Sequence, residues 1–286
     1  MPHHARELWR LLEPIHAVTY FAPEPLSALK AAGCRGFWMG YFAGRAAPLG
    51  AASPQLVHAL FYNFTLDRVS RALPAAWEYS SPTAALEARL AGSVSALRRC
   101  WADGVEESTV GRAADLVERV VAAQPIEGRA LYAANRALPV PTEPVARLWH
   151  GATLIREHRG DGHVAALLSA GIGGRESHVW HASSTGIPRE TYTVARDFSD
   201  EEWARCHASL ADRGLVDAAG LTPEGARLKR RIEDRTDALA SEGLDSLTVD
   251  DARELFELLR PLTRAVVAAG DLPLDSPMGL DLRELG

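Results

Sequence analysis

Apolar positions along this chain recur at intervals of three and four, and strict alternation is confined to one short stretch, so helices are expected almost throughout. The periodicity predicts helices over 5–21, 24–32, 36–46, 54–64, 66–76, 82–101, 107–123, 127–137, 143–157, 161–169, 199–213, 222–240 and 249–268. Several starts carry fitting punctuation. Proline stands in the first turn at Ser53-Pro54 and Glu143-Pro144, where no intrahelical N–H bond is lost. Ser199 followed by Glu202 reads as a capping box. Gly160 and Gly162 are expected to end one helix at His158-Arg159, with Asp161 capping the next. Between 171 and 198 the pattern gives way to Gly, Ser and Thr, which predicts a linker with at most a short strand at Thr191-Tyr192-Thr193-Val194.

A shift of 91 residues lays Tyr41-x-Ala43-x-Arg45-Ala46-x-Pro48 on Tyr132-x-Ala134-x-Arg136-Ala137-x-Pro139. The match fits an internal duplication, although an alanine-rich chain also produces short matches by chance. The expected fold is mainly α. Two related helical units over 1–185 would form a ligand-binding domain, and a winged helix-turn-helix module with a C-terminal helix would occupy 186–286.

Two motifs carry the winged-helix expectation: Leu210-Ala211-Asp212-Arg213-Gly214-Leu215-Val216 and Leu221-Thr222-Pro223-Glu224-Gly225. In this order they resemble the winged-helix half of MarR-type bacterial regulators. The resemblance implies that the helix ending at Arg213 is a recognition helix whose first turns meet base edges. Here that first turn holds Asp200, Glu201 and Glu202, and the hairpin from Val216 to Leu221 has no Arg or Lys. Carboxylates oppose docking on a polyanion, which weighs against DNA as a partner without excluding it. The module is then expected to be a scaffold, and a homodimer is allowed. The cluster Arg227, Lys229, Arg230 and Arg231 alternates with Glu233, Asp234 and Asp237, as on a solvated face.

Three further segments resemble an actinobacterial helix-turn-helix family. They are Glu13-Pro14-x-His16-Ala17-Val18-Thr19-Tyr20-Phe21, the run from Gly36 to Arg45, and the run from Arg156 to His163. This resemblance spans most of the chain and implies no particular activity.

The composition narrows the class. With 286 residues, 47% apolar and 24% charged, the chain can bury a substantial core, and its net charge of −6 gives no general attraction to nucleic acid. No apolar run is long enough to span a membrane and no secretory leader is evident, so a cytoplasmic protein without membrane contact is expected. Cys34, Cys100 and Cys206 form no CxxC pair and are expected to be buried apolar residues.

The densest polar run is Arg156-Glu157-His158-Arg159-Gly160-Asp161-Gly162-His163, preceded by His150. Imidazoles oriented by a carboxylate suit general acid/base work near neutral pH, which makes His158, His163 and Asp161 the catalytic candidates. Arg156 and Arg159 are candidate anion clamps, and His150 lies two turns from His158. The alternative is that Asp161 only caps, the arginines are ion-paired and the histidines satisfy helix ends. Trp38, Tyr41 and Arg45, with Tyr62, Asn63, His16 and Tyr20, are candidates for a pocket wall, although core packing explains the aromatic spacing equally simply. His158 and His163 lack HExxH spacing, and no GxGxxG or P-loop is present, so neither metal nor cofactor is expected. The leading expectation is a cofactor-independent acid/base enzyme acting on a small molecule by hydrolysis, elimination or cyclisation. The alternatives are a MarR-like ligand-responsive regulator and a non-catalytic binding protein.

Overall fold

The computed structural model describes residues 2–273, Leu280 and 282–285. It is mainly α. Helices α1 (Pro2–Phe21), α2 (Pro23–Ala31), α3 (Phe37–Ala46), α4 (Pro54–Phe61), α5 (Leu66–Ser70), α6 (Ala76–Tyr79), α7 (Pro82–Cys100), α8 (Glu107–Ala123) and α9 (Ala130–Arg136) lead into the long α10 (Pro144–Ser169). Then follow α11 (Glu176–Thr185), α12 (Arg189–Arg196), α13 (Asp200–Asp212), the hairpin β1 (Val216–Asp217) and β2 (Gly220–Leu221), α14 (Pro223–Ala240) and α15 (Val249–Ala268). No described helix is long and apolar enough to cross a membrane.

Three apolar clusters hold these elements. The largest gathers α1, α8, the first half of α10 and α15 around Ile15, Leu116, Trp149 and Leu259. A second joins α3, α4 and the segment to α7 through Phe42, Phe61, Phe64 and Leu73. The third unites the end of α10 with α11, α13, the hairpin and α14 through Leu167, Trp180, Leu210 and Ile232.

Two expectations are corrected here. Gly160 and Gly162 do not end a helix, because α10 runs unbroken for 26 residues. Its glycines serve close approach instead. A Cβ on Gly151 would lie 2.6 Å from Val117 Cγ1 of α8, and one on Gly162 would lie 3.4 Å from Leu239 Cβ of α14. Asp161 accordingly caps no helix of its own; it accepts the Tyr132 N–H at 3.0 Å, at the start of α9.

The expected linker over 171–198 is also helical. Four alternating residues are too few to separate a strand from a helical turn, and in α12 Tyr192 alone of that stretch is fully buried while Val194 is exposed. With α12 recognised, α11, α12, α13, the hairpin and α14 form the arrangement of a winged helix. The bend between α12 and α13 turns on Asp197, a non-glycine residue at φ 52°, ψ 49° whose carboxylate receives Arg68 of α5 and Arg71 just beyond it.

The winged-helix motifs have local causes. Ser199 accepts the Glu202 N–H at 3.1 Å, but the Glu202 carboxylate binds Arg175 rather than closing the box. Thr222 accepts the Gly225 N–H, and a Cβ on Gly225 would sit 1.9 Å from the Leu215 carbonyl oxygen. Gly225→Ala is therefore expected to destabilise the protein by about 1–3 kcal/mol through overpacking. Urea unfolding measures it; a loss below about 0.5 kcal/mol would show that α14 shifts freely away from Leu215.

Candidate functional site

Three helices bring their polar residues to one buried place by simple periodicity. Glu13, His16 and Tyr20 share a face of α1; Tyr41 and Arg45 lie one turn apart on α3; Trp149, Thr153, Arg156 and Glu157 follow one side of α10. Glu157, 2% exposed, is the hub. It accepts Arg156 at 2.5 Å and, through both oxygens, Arg45 at 3.4 Å. Arg156 also reaches Glu13 at 3.2 Å, and Trp9 donates to the other oxygen of Glu13 at 3.1 Å. Burial alone would raise the Glu157 carboxyl, but Arg156 and Arg45 hold it ionised at about 2.

The proton positions around His16 follow from its neighbours. Thr153 Oγ1 donates to the Trp149 carbonyl at 3.0 Å, so it can only accept from His16 Nδ1 at 2.9 Å. His16 Nε2 is then the acceptor, and Tyr20 donates to it at 3.1 Å. Burial, reinforced by Arg156, holds this imidazole neutral, and burial pushes the Tyr20 phenol up to about 12. His163 repeats the device with Thr236, whose hydroxyl donates to Ile232.

A narrow recess of about 10 Å³ opens beside this cluster, lined by Tyr20, Tyr41, Arg45 and Arg89 with Leu29 and Phe37. Gly40 and Gly44 border it because α3 packs there on Leu29, 3.5 Å from a Cβ at either position. Arg89, from α7, is 5% exposed and meets no carboxylate among the described residues. It donates to the Gly44 carbonyl at 3.0 Å and to Asn135 at 3.3 Å, and its Nε has no partner. From α12, Arg196 lies over the Phe64 ring at 4.4 Å; among the described residues its buried Nε has no partner, and its guanidinium donates to the Ala195 carbonyl alone. Burial first, and then repulsion from Arg45 and Arg175, lower the Arg196 guanidinium to about 10.

Of the residues singled out in the sequence, His16, Tyr20, Tyr41, Arg45 and Arg156 converge. Trp38 stands at the edge, its ring 5.6 Å from Tyr41 and covered by Arg68 at 3.9 Å. Tyr62 and Asn63 serve the seam between body and winged helix: the Tyr62 hydroxyl donates to the Ile172 carbonyl, and the Asn63 carbonyl accepts Arg175. Gly174 is required there, since a Cβ would fall 2.0 Å from the Tyr62 carbonyl oxygen.

The three acid/base candidates do not meet. On an unbroken helix, positions 158 and 161 share a face and both adjoin Tyr132, whereas 163 points to another side. His158 packs edge-on against Tyr132 at 4.8 Å, Asp161 binds the start of α9, and His163 faces Thr236. His150 is buried near Arg89 and Glu118, held neutral at about 4 chiefly by burial. Arg159 is engaged by Asp237 at 2.6 Å and Glu233 at 3.5 Å and is not an open clamp. Among the described residues, no three His, Cys, Asp or Glu side chains are grouped to hold a metal ion.

Glu13, Glu157, Arg89 and Arg196 complete the cluster; of these the sequence assigns a role to Glu157 alone, as a carboxylate orienting an imidazole. Glu13 and Glu157 stand inside the quoted motifs, whereas Arg196 falls in the segment read as a linker. No curated protein and no solved structure matches the chain. The model of a helix-turn-helix family matches residues 5–273, nearly the whole length that contains both the cluster and the winged helix, and the chain belongs to that helix-turn-helix family.

Proposed function

We propose that this chain is a ligand-responsive regulator of the helix-turn-helix type, in which a small molecule held beside the α1–α3–α10 cluster biases the placement of α12 and α13. The observation that carries this reading is Arg196. It extends from the first helix of the helix-turn-helix pair over the Phe64 ring at 4.4 Å, itself 5.6 Å from Tyr41, and among the described residues no carboxylate pairs with it. A ligand that changes the charge at Arg45 changes the energy of holding Arg196, and hence α12, in place. This alternative is preferred to an acid/base enzyme because His163 faces Thr236, away from His158 and Asp161 at Tyr132, while the family is one of helix-turn-helix proteins.

The acidic first turn of α13 is partly offset, since Arg189 pairs with Asp200 and Arg175 with Glu202. Arg205 is exposed on the same helix and is the residue best placed for a base edge. Selection from a randomised duplex library at about 50 mM salt is expected to enrich a sequence whose affinity falls as salt rises. Arg205→Ala should weaken that duplex about tenfold, within the range for one bidentate base contact. Failure to enrich any sequence would remove the regulator reading and leave a non-catalytic binding protein.

A further inference from the structure

We propose that the groove between α1 and α15 is a binding site for a small phosphorylated molecule. The proposal goes beyond the regulator reading and does not depend on it, because the groove lies where α1 meets α15, whereas the buried cluster lies where α1 meets α3 and α10.

Helix geometry assembles the site. Glu7 meets Arg260 at 2.6 Å, and the Leu11 carbonyl accepts the Thr263 hydroxyl at 2.7 Å, so the two helices run side by side in the same direction. Arg6 and Arg10 are about one turn apart on α1, and Arg260 and Arg264 about one turn apart on α15, which sets Arg10 level with Arg264 across the groove. These four arginines and Glu7, with Leu11 and Leu285, line an open space of about 310 Å³. That space lies within the range of small-molecule sites and far exceeds what a single water needs.

Charge selects the ligand. Glu7 is the one acidic residue of the described lining, and Arg260 already takes it up; Arg6 is turned to Asp237 at 2.6 Å. Arg264 is exposed and pairs with no carboxylate among the described residues. The chain as a whole carries a net charge of −6, so four arginines about one glutamate are a local concentration and not part of a general basic surface. Each guanidinium has five donors, so an ion pair already made does not exhaust it. The Glu7–Arg260 pair, with side chains 40% and 47% exposed, is of the weak surface kind that an incoming anion can displace. A carboxylate offers two coplanar oxygens to one fork. A phosphate offers three oxygens and more charge, and can accept from guanidiniums on both walls at once.

Calorimetric titration of the full chain at fixed ionic strength with inorganic pyrophosphate and with malonate tests this. Pyrophosphate is expected to bind once per chain and at least tenfold more tightly than malonate. Arg264→Gln should weaken pyrophosphate at least tenfold with little change in melting temperature, and Arg260→Gln should do the same. Arg253→Gln, which removes the same charge from α15 outside the groove, should leave binding unchanged. No heat with pyrophosphate, equal binding of malonate, or equal losses from Arg253→Gln and Arg264→Gln would each overturn the proposal. A selected duplex that displaces pyrophosphate and is weakened as much by Arg264→Gln would make the groove a nucleic-acid surface, and the small-molecule proposal would fall. Pyrophosphate binding that depends on Arg264, with no duplex enriched, would support the groove while removing the regulator reading.

Discussion

Asp237→Ala is expected to cost about 3–5 kcal/mol of folding stability, the range for removing one partner from a buried ion pair. Asp237 is 3% exposed and receives Arg159 at 2.6 Å on one oxygen and Arg6 at 2.7 Å on the other. Arg6 has a side chain 41% exposed and regains water readily, so its share is small. Arg159, with 8% of its side chain exposed, would keep Glu233 at 3.5 Å and the Trp9 ring at 4.9 Å but no close carboxylate among the described residues. Because this junction ties α14 to α1 and α10, the loss should loosen the winged helix as well as lower the urea midpoint. The double variant Arg159→Met with Asp237→Leu should recover most of the stability, since apolar replacement removes both desolvated charges. A single-variant loss under about 1 kcal/mol would mean that water reaches Arg159.

Acid sensitivity is the second large effect. Burial holds the His158 imidazole at about 3, and neither ring nitrogen has a hydrogen-bond partner, although the Pro125 carbonyl lies near enough to favour the proton slightly. The sign follows from proton uptake. Below about pH 6.5 the unfolded chain gains a proton that the folded chain refuses until about pH 3, so stability present above pH 6.5 is lost across that window. At about 1.4 kcal/mol per pH unit, His158 contributes on the order of 3–5 kcal/mol of this loss. His150 and His181, each held at about 4, act in the same direction. Asp161 opposes them. Burial raises it to about 6, so its stabilising contribution is complete only below its unfolded value and fades as pH rises through 6. One such carboxyl does not balance several histidines. Urea unfolding from pH 7 to pH 4 should show the midpoint falling, and His158→Leu should flatten that fall; an unchanged profile would mean that His158 already shares a proton in the fold.

What the sequence conveys depends on how far apart the interacting residues are. Tyr41 and Arg45, one turn apart, could be read together, and the Arg45 hydrogen bond to the Tyr41 hydroxyl at 3.5 Å has its counterpart in Arg136 and Tyr132 at 2.7 Å. The Leu210–Val216 and Leu221–Gly225 motifs likewise have short-range causes in Thr222 and Gly225. The run from Arg156 to His163 misleads because density along the chain is not proximity in a helix: successive residues turn by about 100° and enter separate environments. Glycine also has two physical uses, ending a helix or admitting a neighbour, and nothing local in Gly151 or Gly162 shows that α8 and α14 will lie against them. Arg196 becomes informative only once the fold lays it over Phe64, which no periodicity expresses.

The unbroken α10 also bears on how such a chain can diversify. Its first half supplies Leu148, Trp149 and Ala152 to one core, and its last turns supply Ala166 and Leu167 to another. Exchange of the reading head between lineages by recombination would therefore graft half of a helix onto a foreign partner, leaving one of those cores with mismatched side chains. Change is easier by substitution within the whole chain, with the recess and the recognition helix drifting together as one heritable unit.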